Sequence, residues 1–178
     1  MDSLYSRYAS ALLSIAEEKN QIDAYRNKIK MWRKLISENE ELLHLLSSCF
    51  IEKDDKENII DEIFKEEDEE IKNFVKIVNN NKRTNELLKI FDEFILEANE
   101  RLGIKDGIVY SIDTLSKEQM ESIRSKLSLR LGCEVELQNV IDKRLLGGVK
   151  IVVEDKIFDG SIKNKLEKLK ESLISGGK

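Results

Sequence analysis

Two neighbouring glycines near the end of the chain, Gly147 and Gly148, have the spacing that comes nearest to a ligand-binding motif. A glycine turn can cradle a phosphate when further glycines and a Lys-Ser or Lys-Thr pair lead into a helix. Here the pair leads through Lys150 into β-branched residues, which are typical of a strand. We therefore predict a turn or bulge with positive φ or a close backbone approach, and no nucleotide site.

Two other places have residue types that could support catalysis. Asp159, Gly160 and Ser161 could form a catalytic triplet, but their position before an amphipathic run favours a turn followed by a helix cap. His44 is the only histidine, so no second imidazole completes a metal site, and we expect it on a helix surface. The sequence thus predicts a non-catalytic protein that needs no cofactor or metal.

The composition narrows the choice of partners. The chain has 35 acidic and 30 basic residues and a formal net charge of -5, whereas nucleic-acid binding requires a clustered basic excess. Cys49 and Cys133 are far apart and favour a reducing, cytosolic setting with ordinary buried thiols. The apolar runs are far shorter than the ~20 residues that cross a bilayer, and no signal peptide is visible. We expect no nucleic acid and no direct membrane insertion.

Helical periodicity fills the first part of the chain, which contains no proline. We predict an all-α bundle of six helices. The predicted features are helices over residues 3–19, 22–37 and 40–46, a fourth opened by a capping box of Asp54 and Glu57, a fifth with the stripe Ile71, Phe74, Val75 and Val78, and a sixth capped by Thr84 and closed by Gly103.

The pattern changes after the sixth helix. Two glycines within residues 103–107 predict a linker or turn, and we place a domain boundary there. Beyond it, alternating residues predict strands around 108–113, 133–140, 149–153 and 156–158. Ser116 and Gln119 predict a capping box that opens a helix, and a last helix follows over residues 162–174. The second part is therefore predicted to be a small α+β domain, which makes the fold α+β overall.

The first helix has an apolar arc of roughly 200°, which is wider than one core requires. Either the helix is central in its own bundle, or it offers a second apolar face to a partner helix. The candidate groove residues on the first and fifth helices are Leu4, Tyr5, Tyr8, Leu12, Ile15, Ile71, Phe74, Val75 and Val78.

With these residues in view, the chain resembles the delta subunit family of the F-type ATP synthase, whose mitochondrial members are called the oligomycin-sensitivity-conferring protein. The resemblance covers nearly the whole length, and its most specific part is the C-terminal signature. The signature positions that we take as structural are Asp142, Gly147, Gly148, Asp159, Gly160, Ser161, Leu166 and Leu169. In the first helix, Arg7, Tyr8 and Ala9 match a less specific family pattern. Glu154 departs from the signature, because the family usually has glycine there.

The resemblance implies a non-catalytic stator subunit in the peripheral stalk of a proton-transporting ATP synthase complex. Residues 1–105 would hold the N-terminal helices of the alpha subunits, and residues 106–178 would hold the C-terminal end of the stalk's b subunit. The subunit would lie at the cytoplasmic face of the plasma membrane. It would keep the catalytic head still, so that rotation is coupled to ATP synthesis.

Two alternatives from other classes stay open at this point. A soluble two-domain adaptor for nucleic acid or ribosomes would show a basic face despite the acidic total. A small enzyme with a site between the domains would show a pocket with convergent titratable groups.

Overall fold

The computed structural model describes residues 4–48 and 50–175, without the side chains of Glu40, Leu169 and residues 171–175. Cys49, predicted to be a buried thiol, lies outside the described residues. The chain divides into two compact units, unit 1 (Met1–Leu102) and unit 2 (Gly103–Lys178). Within the described residues there are eight α-helices and a four-stranded sheet, which confirms the predicted α+β class.

Unit 1 is helical throughout the part that the structure describes. Its elements are α1 (Leu4–Glu18), α2 (Ile22–Glu38), α3 (Glu40–Ser47), α4 (Lys53–Ile63), α5 (Glu69–Asn80), a short 3-10 turn (Thr84–Glu86) and α6 (Leu87–Leu102). In α2, Tyr25, Ile29, Trp32 and Ile36 are buried at spacings of three and four, as the sequence predicts.

Helix α6 provides the centre of the unit 1 core and packs against α1 and α2. Phe91 and Phe94 are fully buried on it, beside apolar side chains from all the other helices of the unit. Arg26 and Asn99 form a buried polar pair in the same unit. Nε of Arg26 donates a hydrogen bond to the side-chain oxygen of Asn99. The hydrogen bond offsets part of the free energy that burial of a charged group costs.

Two predicted helix caps are wrong. The capping box of Asp54 and Glu57 does not form, because α4 begins at Lys53 and both residues lie inside it. The Glu57 carboxylate instead accepts a hydrogen bond of 2.9 Å from Asn80. Thr84 does not cap α6, which begins three residues later. Its hydroxyl is buried and donates to Asn79 at 2.8 Å, so it stabilises the preceding turn.

The linker or turn predicted for residues 103–107 is also wrong. Gly103 does follow the last turn of α6 with φ +68°, but strand β1 (Ile104–Ser111) begins at the next residue. Gly107 therefore lies inside a strand rather than in a turn. A β-carbon there would lie 2.7 Å from the side chain of Val153 and 2.9 Å from that of Leu137. The glycine permits close packing of neighbouring strands.

Unit 2 contains a mixed sheet in the order β2-β1-β3-β4. Its other elements are α7 (Lys117–Leu131), β2 (Glu134–Ile141), β3 (Lys150–Val153), β4 (Lys156–Asp159) and α8 (Ile162–Ser175). Strand β2 pairs with β1 in parallel after the α7 crossover, and β3 pairs antiparallel with both β1 and β4. At the tip of the β3–β4 hairpin, Glu154 adopts φ +49°, which is consistent with the family's preference for glycine there.

Helix α7 covers one face of the sheet. It begins with the predicted capping box, in which the Ser116 and Gln119 side chains each accept the other's backbone N–H. The small core between helix and sheet consists of Val109, Leu127, Val135, Ile151 and Val153. The opposite face of the sheet carries Ile108, Val152 and Ile157 in one row, because these residues are register partners on β1, β3 and β4.

Candidate functional site

An apolar groove runs between α1 and α5 on unit 1, with a cavity volume of about 550 Å³. We call it the α1/α5 groove. Its lining residues recur at spacings of three and four, so each helix contributes one continuous stripe. The stripe on α1 is about three turns long, which is the size of a short partner helix. The lining residues are Leu4, Arg7, Tyr8, Ala11, Leu12 and Ile15 from α1, and Glu70, Asn73, Phe74 and Ile77 from α5.

Aromatic packing forms the middle of the groove. Tyr8 and Phe74 meet edge to face, with ring centroids 6.4 Å apart and an interplanar angle of 78°. Phe74 and Leu12 are buried, so they support the groove from the core side. Ile77, by contrast, is 53% exposed. A partner that covered Ile77 would remove its apolar surface from water without disturbing the core.

One end of the groove carries an ion pair that is complete within the chain. Nζ of Lys19 lies 2.5 Å from the Glu70 carboxylate, which also accepts a hydrogen bond of 3.5 Å from the Tyr25 hydroxyl. The hydrogen bond from Lys19 lowers the pKa of Glu70, and the same bond raises the pKa of Lys19. Burial raises the pKa of Tyr25. Glu70 at the groove edge is therefore an ionised carboxylate whose negative charge is already balanced by Lys19.

The structure places only part of the predicted groove set in this wall. Leu4, Tyr8, Leu12, Ile15 and Phe74 line the groove. Ile71, Val75 and Val78 do not, because they are buried in the core of unit 1. Tyr5 packs against the same core, with Nζ of Lys89 5.7 Å from its ring centroid.

Sequence reasoning missed Arg7, Ala11, Glu70, Asn73 and Ile77. Both faces of α5 carry apolar residues, and the stronger stripe faces the core. Ile77 lies beside that stripe, at i+3 from Phe74 and i−1 from Val78. The sequence offered no signal for Ile77, because apolar spacing alone does not show which of the adjacent Ile77 and Val78 faces the core.

The glycine pair shapes a loop in unit 2. Gly147 has φ +149° and Gly148 has φ +76°. A β-carbon on Gly148 would lie 2.4 Å from the carbonyl oxygen of Gly160, and one on Gly147 would lie 2.5 Å from the side chain of Ile162. The pair precedes β3 rather than a helix, so it has the close backbone approach that the sequence predicts and not the geometry of a phosphate loop.

The residues that follow close this loop onto the start of α8. The Gly160 N–H donates to the Val149 carbonyl, and the Ile162 N–H donates to that of Gly147, both at 2.9 Å. Ser161 is buried, and its hydroxyl oxygen accepts the Asn164 N–H at 3.2 Å, as a helix cap does.

The two signature carboxylates have separate local partners. Asp159 accepts the Ser161 N–H at 2.9 Å, and its hydrogen bonds with Ser161 lower its pKa. Asp142 accepts bidentate hydrogen bonds of 2.9 Å from Nε and Nη2 of Arg144. Those bonds lower the pKa of Asp142 from 3.8 to about 2. Both pKa shifts therefore follow from hydrogen bonds within the local turn.

The remaining predicted positions lie on α3 and α8. Leu166 is 56% exposed, so the predicted packing stripe of α8 is not buried at this position. The side chain of Leu169 lies outside the described residues. His44 is exposed on α3, as predicted.

Residues 4–48 and 50–175 contain neither a metal-binding cluster nor a membrane-spanning helix. Within these ranges no group of His, Cys, Asp and Glu side chains is arranged to hold a metal ion. No helix in the same ranges has the length and apolar character needed to span a bilayer.

Comparison with known proteins gives consistent results. Residues 4–173 match the family described as "ATP synthase delta (OSCP) subunit". "ATP synthase subunit delta" of Bacillus cereus (strain G9842) is 34% identical over 169 residues, which cover 94% of each chain. The protein of the same name from Bacillus mycoides (strain KBAB4) is 32% identical over the same coverage. A chain in the cryo-EM structure of the Toxoplasma gondii mitochondrial ATP synthase hexamer has a similar fold, with a TM-score of 0.68, 21% identity and coverage of 97% of this chain and 98% of that one.

The family model and the relatives place the chain among the subunits of a larger assembly, the ATP synthase. The chain belongs to the ATP synthase delta (OSCP) subunit family. Its function is that of a peripheral-stalk subunit, which links the catalytic head of the ATP synthase to the membrane-anchored stalk.

Proposed function

We propose that the α1/α5 groove holds the N-terminal helix of an ATP synthase alpha subunit. The observation that carries this proposal is an apolar, helix-sized groove left open on the surface of a chain in this family. Docking of an amphipathic helix would bury Ile77 and the exposed edges of the α1 stripe. The six-helix bundle of unit 1 thereby acts as the head-binding part.

Unit 2 attaches to the C-terminal end of the stalk's b subunit. The sheet face opposite α7 supports this assignment, since it carries apolar residues in register and Ile157 on it is 61% exposed. Exposed apolar surface of this kind is typical of protein–protein contact sites.

Two separate attachments give the subunit its mechanical role. The catalytic head must stay still while the central shaft turns inside it, and one weak contact would let it slip. When one unit is bound, the other binds at a raised effective concentration, so the whole subunit binds more tightly than either unit alone. The affinity of each attachment comes from burial of apolar surface. The subunit lies at the cytoplasmic face of the plasma membrane.

The subunit has no turnover of its own and needs no cofactor. The glycine pair leads into a strand, and the Asp142 and Asp159 carboxylates are each held by a local partner. Purified protein should therefore not bind ATP in a calorimetric titration. Micromolar ATP binding that is lost on changing Gly147 or Lys150 would contradict this assignment.

The groove assignment is tested by titrating the full chain with a synthetic peptide of the alpha subunit's N-terminal helix. We expect binding with a negative heat-capacity change, because apolar surface leaves water. Ile77→Asp should weaken binding by about 2 kcal/mol or more, since the carboxylate would be desolvated without a partner. Ile77 is a better target than Tyr8, which also packs on the core and whose replacement would disturb folding.

Leu96→Asp is the matched control. Leu96 is 54% exposed on α6, nearly the same as Ile77, but it does not line the groove. The proposal predicts unchanged affinity for Leu96→Asp and an intact circular dichroism spectrum for both variants. Equal loss of affinity in the two variants would contradict the groove assignment.

A further inference from the structure

Arg7 is an exposed cation in the lining of the α1/α5 groove. Glu70, the charged residue that α5 contributes, is already paired with Lys19. Arg7 forms no ion pair or hydrogen bond with any residue that the structure describes. Among the described lining residues, the groove thus has one formal charge without a counter-ion, and this charge is positive.

A helix that docked in the groove would remove water from this guanidinium. Desolvation of a charged group is unfavourable unless an opposite charge or a strong acceptor replaces the water. A carboxylate is the best replacement, because the planar guanidinium donates two parallel hydrogen bonds to it. A lysine of the docking helix in the place of that carboxylate would be repelled by Arg7.

We propose that Arg7 selects the occupant of the groove, which is an amphipathic helix with a carboxylate at the edge of its apolar stripe that pairs with Arg7. This inference rests on the proposed function of the groove. The apolar stripes of α1 and α5 supply most of the affinity, and Arg7 supplies discrimination between helices of similar apolar character. The ion pair also fixes the position of the helix along the groove.

A double-mutant cycle tests this proposal with the full chain. The probe is a peptide of the alpha subunit's N-terminal helix with both ends blocked, in which each Glu or Asp is changed in turn to its amide. One of these changes should weaken binding to the wild-type chain about fivefold at low salt. The same change should have no effect on binding to Arg7→Gln, and the difference should shrink in high salt.

Lys65→Gln is the matched control, since it removes the same charge at an exposed position outside the groove. It should keep the full fivefold response to the peptide change. Tight binding in which no carboxylate couples to Arg7 would overturn this inference and leave the groove assignment intact. Failure of the unmodified helix to bind the wild-type chain would overturn the proposed function, and this inference with it.

Discussion

Units 1 and 2 are stabilised in different ways. The unit 1 core contains large buried aromatic side chains, among them Phe64, Phe91 and Phe94, whereas the unit 2 core consists of Val, Ile and Leu side chains under a single helix. Unit 2 depends instead on backbone geometry, because its glycine loop is seated directly on the start of α8. A large core lets unit 1 expose an apolar groove without losing its fold. A small core makes unit 2 sensitive to single atoms at its turns.

The largest effect is expected from a cavity in the larger core. Phe91→Ala should lower the free energy of unfolding of unit 1 by about 4 kcal/mol, because it removes a fully buried ring. Val109→Ala, at a fully buried position in unit 2, should cost about 2 kcal/mol. Trp32, the only tryptophan, reports the unfolding of unit 1, and amide exchange in β1 reports that of unit 2. Equal losses would remove the contrast between the cores.

The second effect tests the dependence of unit 2 on its glycine loop. Gly148→Ala should destabilise unit 2 by about 3 kcal/mol, since the new β-carbon would overlap a backbone oxygen at a positive φ. Gly132→Ala is the control, because Gly132 has φ +70° but a β-carbon there would meet no side chain or backbone within 4 Å beyond its chain neighbours. It should cost about 1 kcal/mol from strain alone. Amide exchange measures the free energy of unfolding of each variant. If the two substitutions lower it by similar amounts, the close approach of Gly148 to Gly160 is unimportant.

A third, smaller effect concerns the helix that the loop supports. Ser161→Ala removes the side-chain acceptor at the start of α8 and should cost about 1 kcal/mol. Ser122→Ala, at an exposed position within α7, should change stability by less than about 0.5 kcal/mol. Denaturant unfolding followed by circular dichroism distinguishes them. If both changes are neutral, Ser161 is not acting as a cap.

The smallest effect is a pH dependence in unit 2. The folded-state pKa of Asp142 is about 2, below its ordinary value of 3.8, so the unfolded chain binds the proton more tightly. The resulting stabilisation is present above about pH 4 and is lost as the pH falls through 3.8 towards 2.

Removal of the partner shows the cause of this shift. Arg144→Gln should raise the pKa of Asp142 towards 3.8 in a carboxyl NMR titration, since Arg144 donates the hydrogen bonds that lower it. The pKa of Asp159 should stay low, because Ser161 sets it. An unchanged Asp142 titration in Arg144→Gln would exclude the guanidinium as the cause.

Periodicity predicted the elements well, because each helix of unit 1 has a regular apolar stripe. The failures occurred where tertiary contacts decided the local structure. Gly107 is a residue type that is common in turns, but it lies in a strand, because the space beside Val153 excludes a β-carbon. Thr84 is a residue type that is common at helix caps, but its hydroxyl donates a buried hydrogen bond to Asn79 instead.

The candidate site was predictable mainly on α1, since Phe74 is the one predicted residue of α5 that lines the groove. The width of its apolar arc indicates two faces, and the structure gives one to the core and one to the groove. On α5 the sequence could not separate Ile77 from Val78, because adjacent apolar residues point in directions about 100° apart and only packing shows which is buried. Arg7 was visible only as part of a family pattern, since its lack of a partner among the described residues is a property of the folded structure.

The central claim is that unit 1 carries the alpha-subunit site. It is tested most directly by titrating fragments 1–102 and 103–178 separately with the alpha subunit's N-terminal helix, after circular dichroism has shown that both are folded. We predict that fragment 1–102 binds the helix with an affinity close to that of the full chain, and that fragment 103–178 does not bind it. Binding of the helix by fragment 103–178, with none by folded fragment 1–102, would contradict the account.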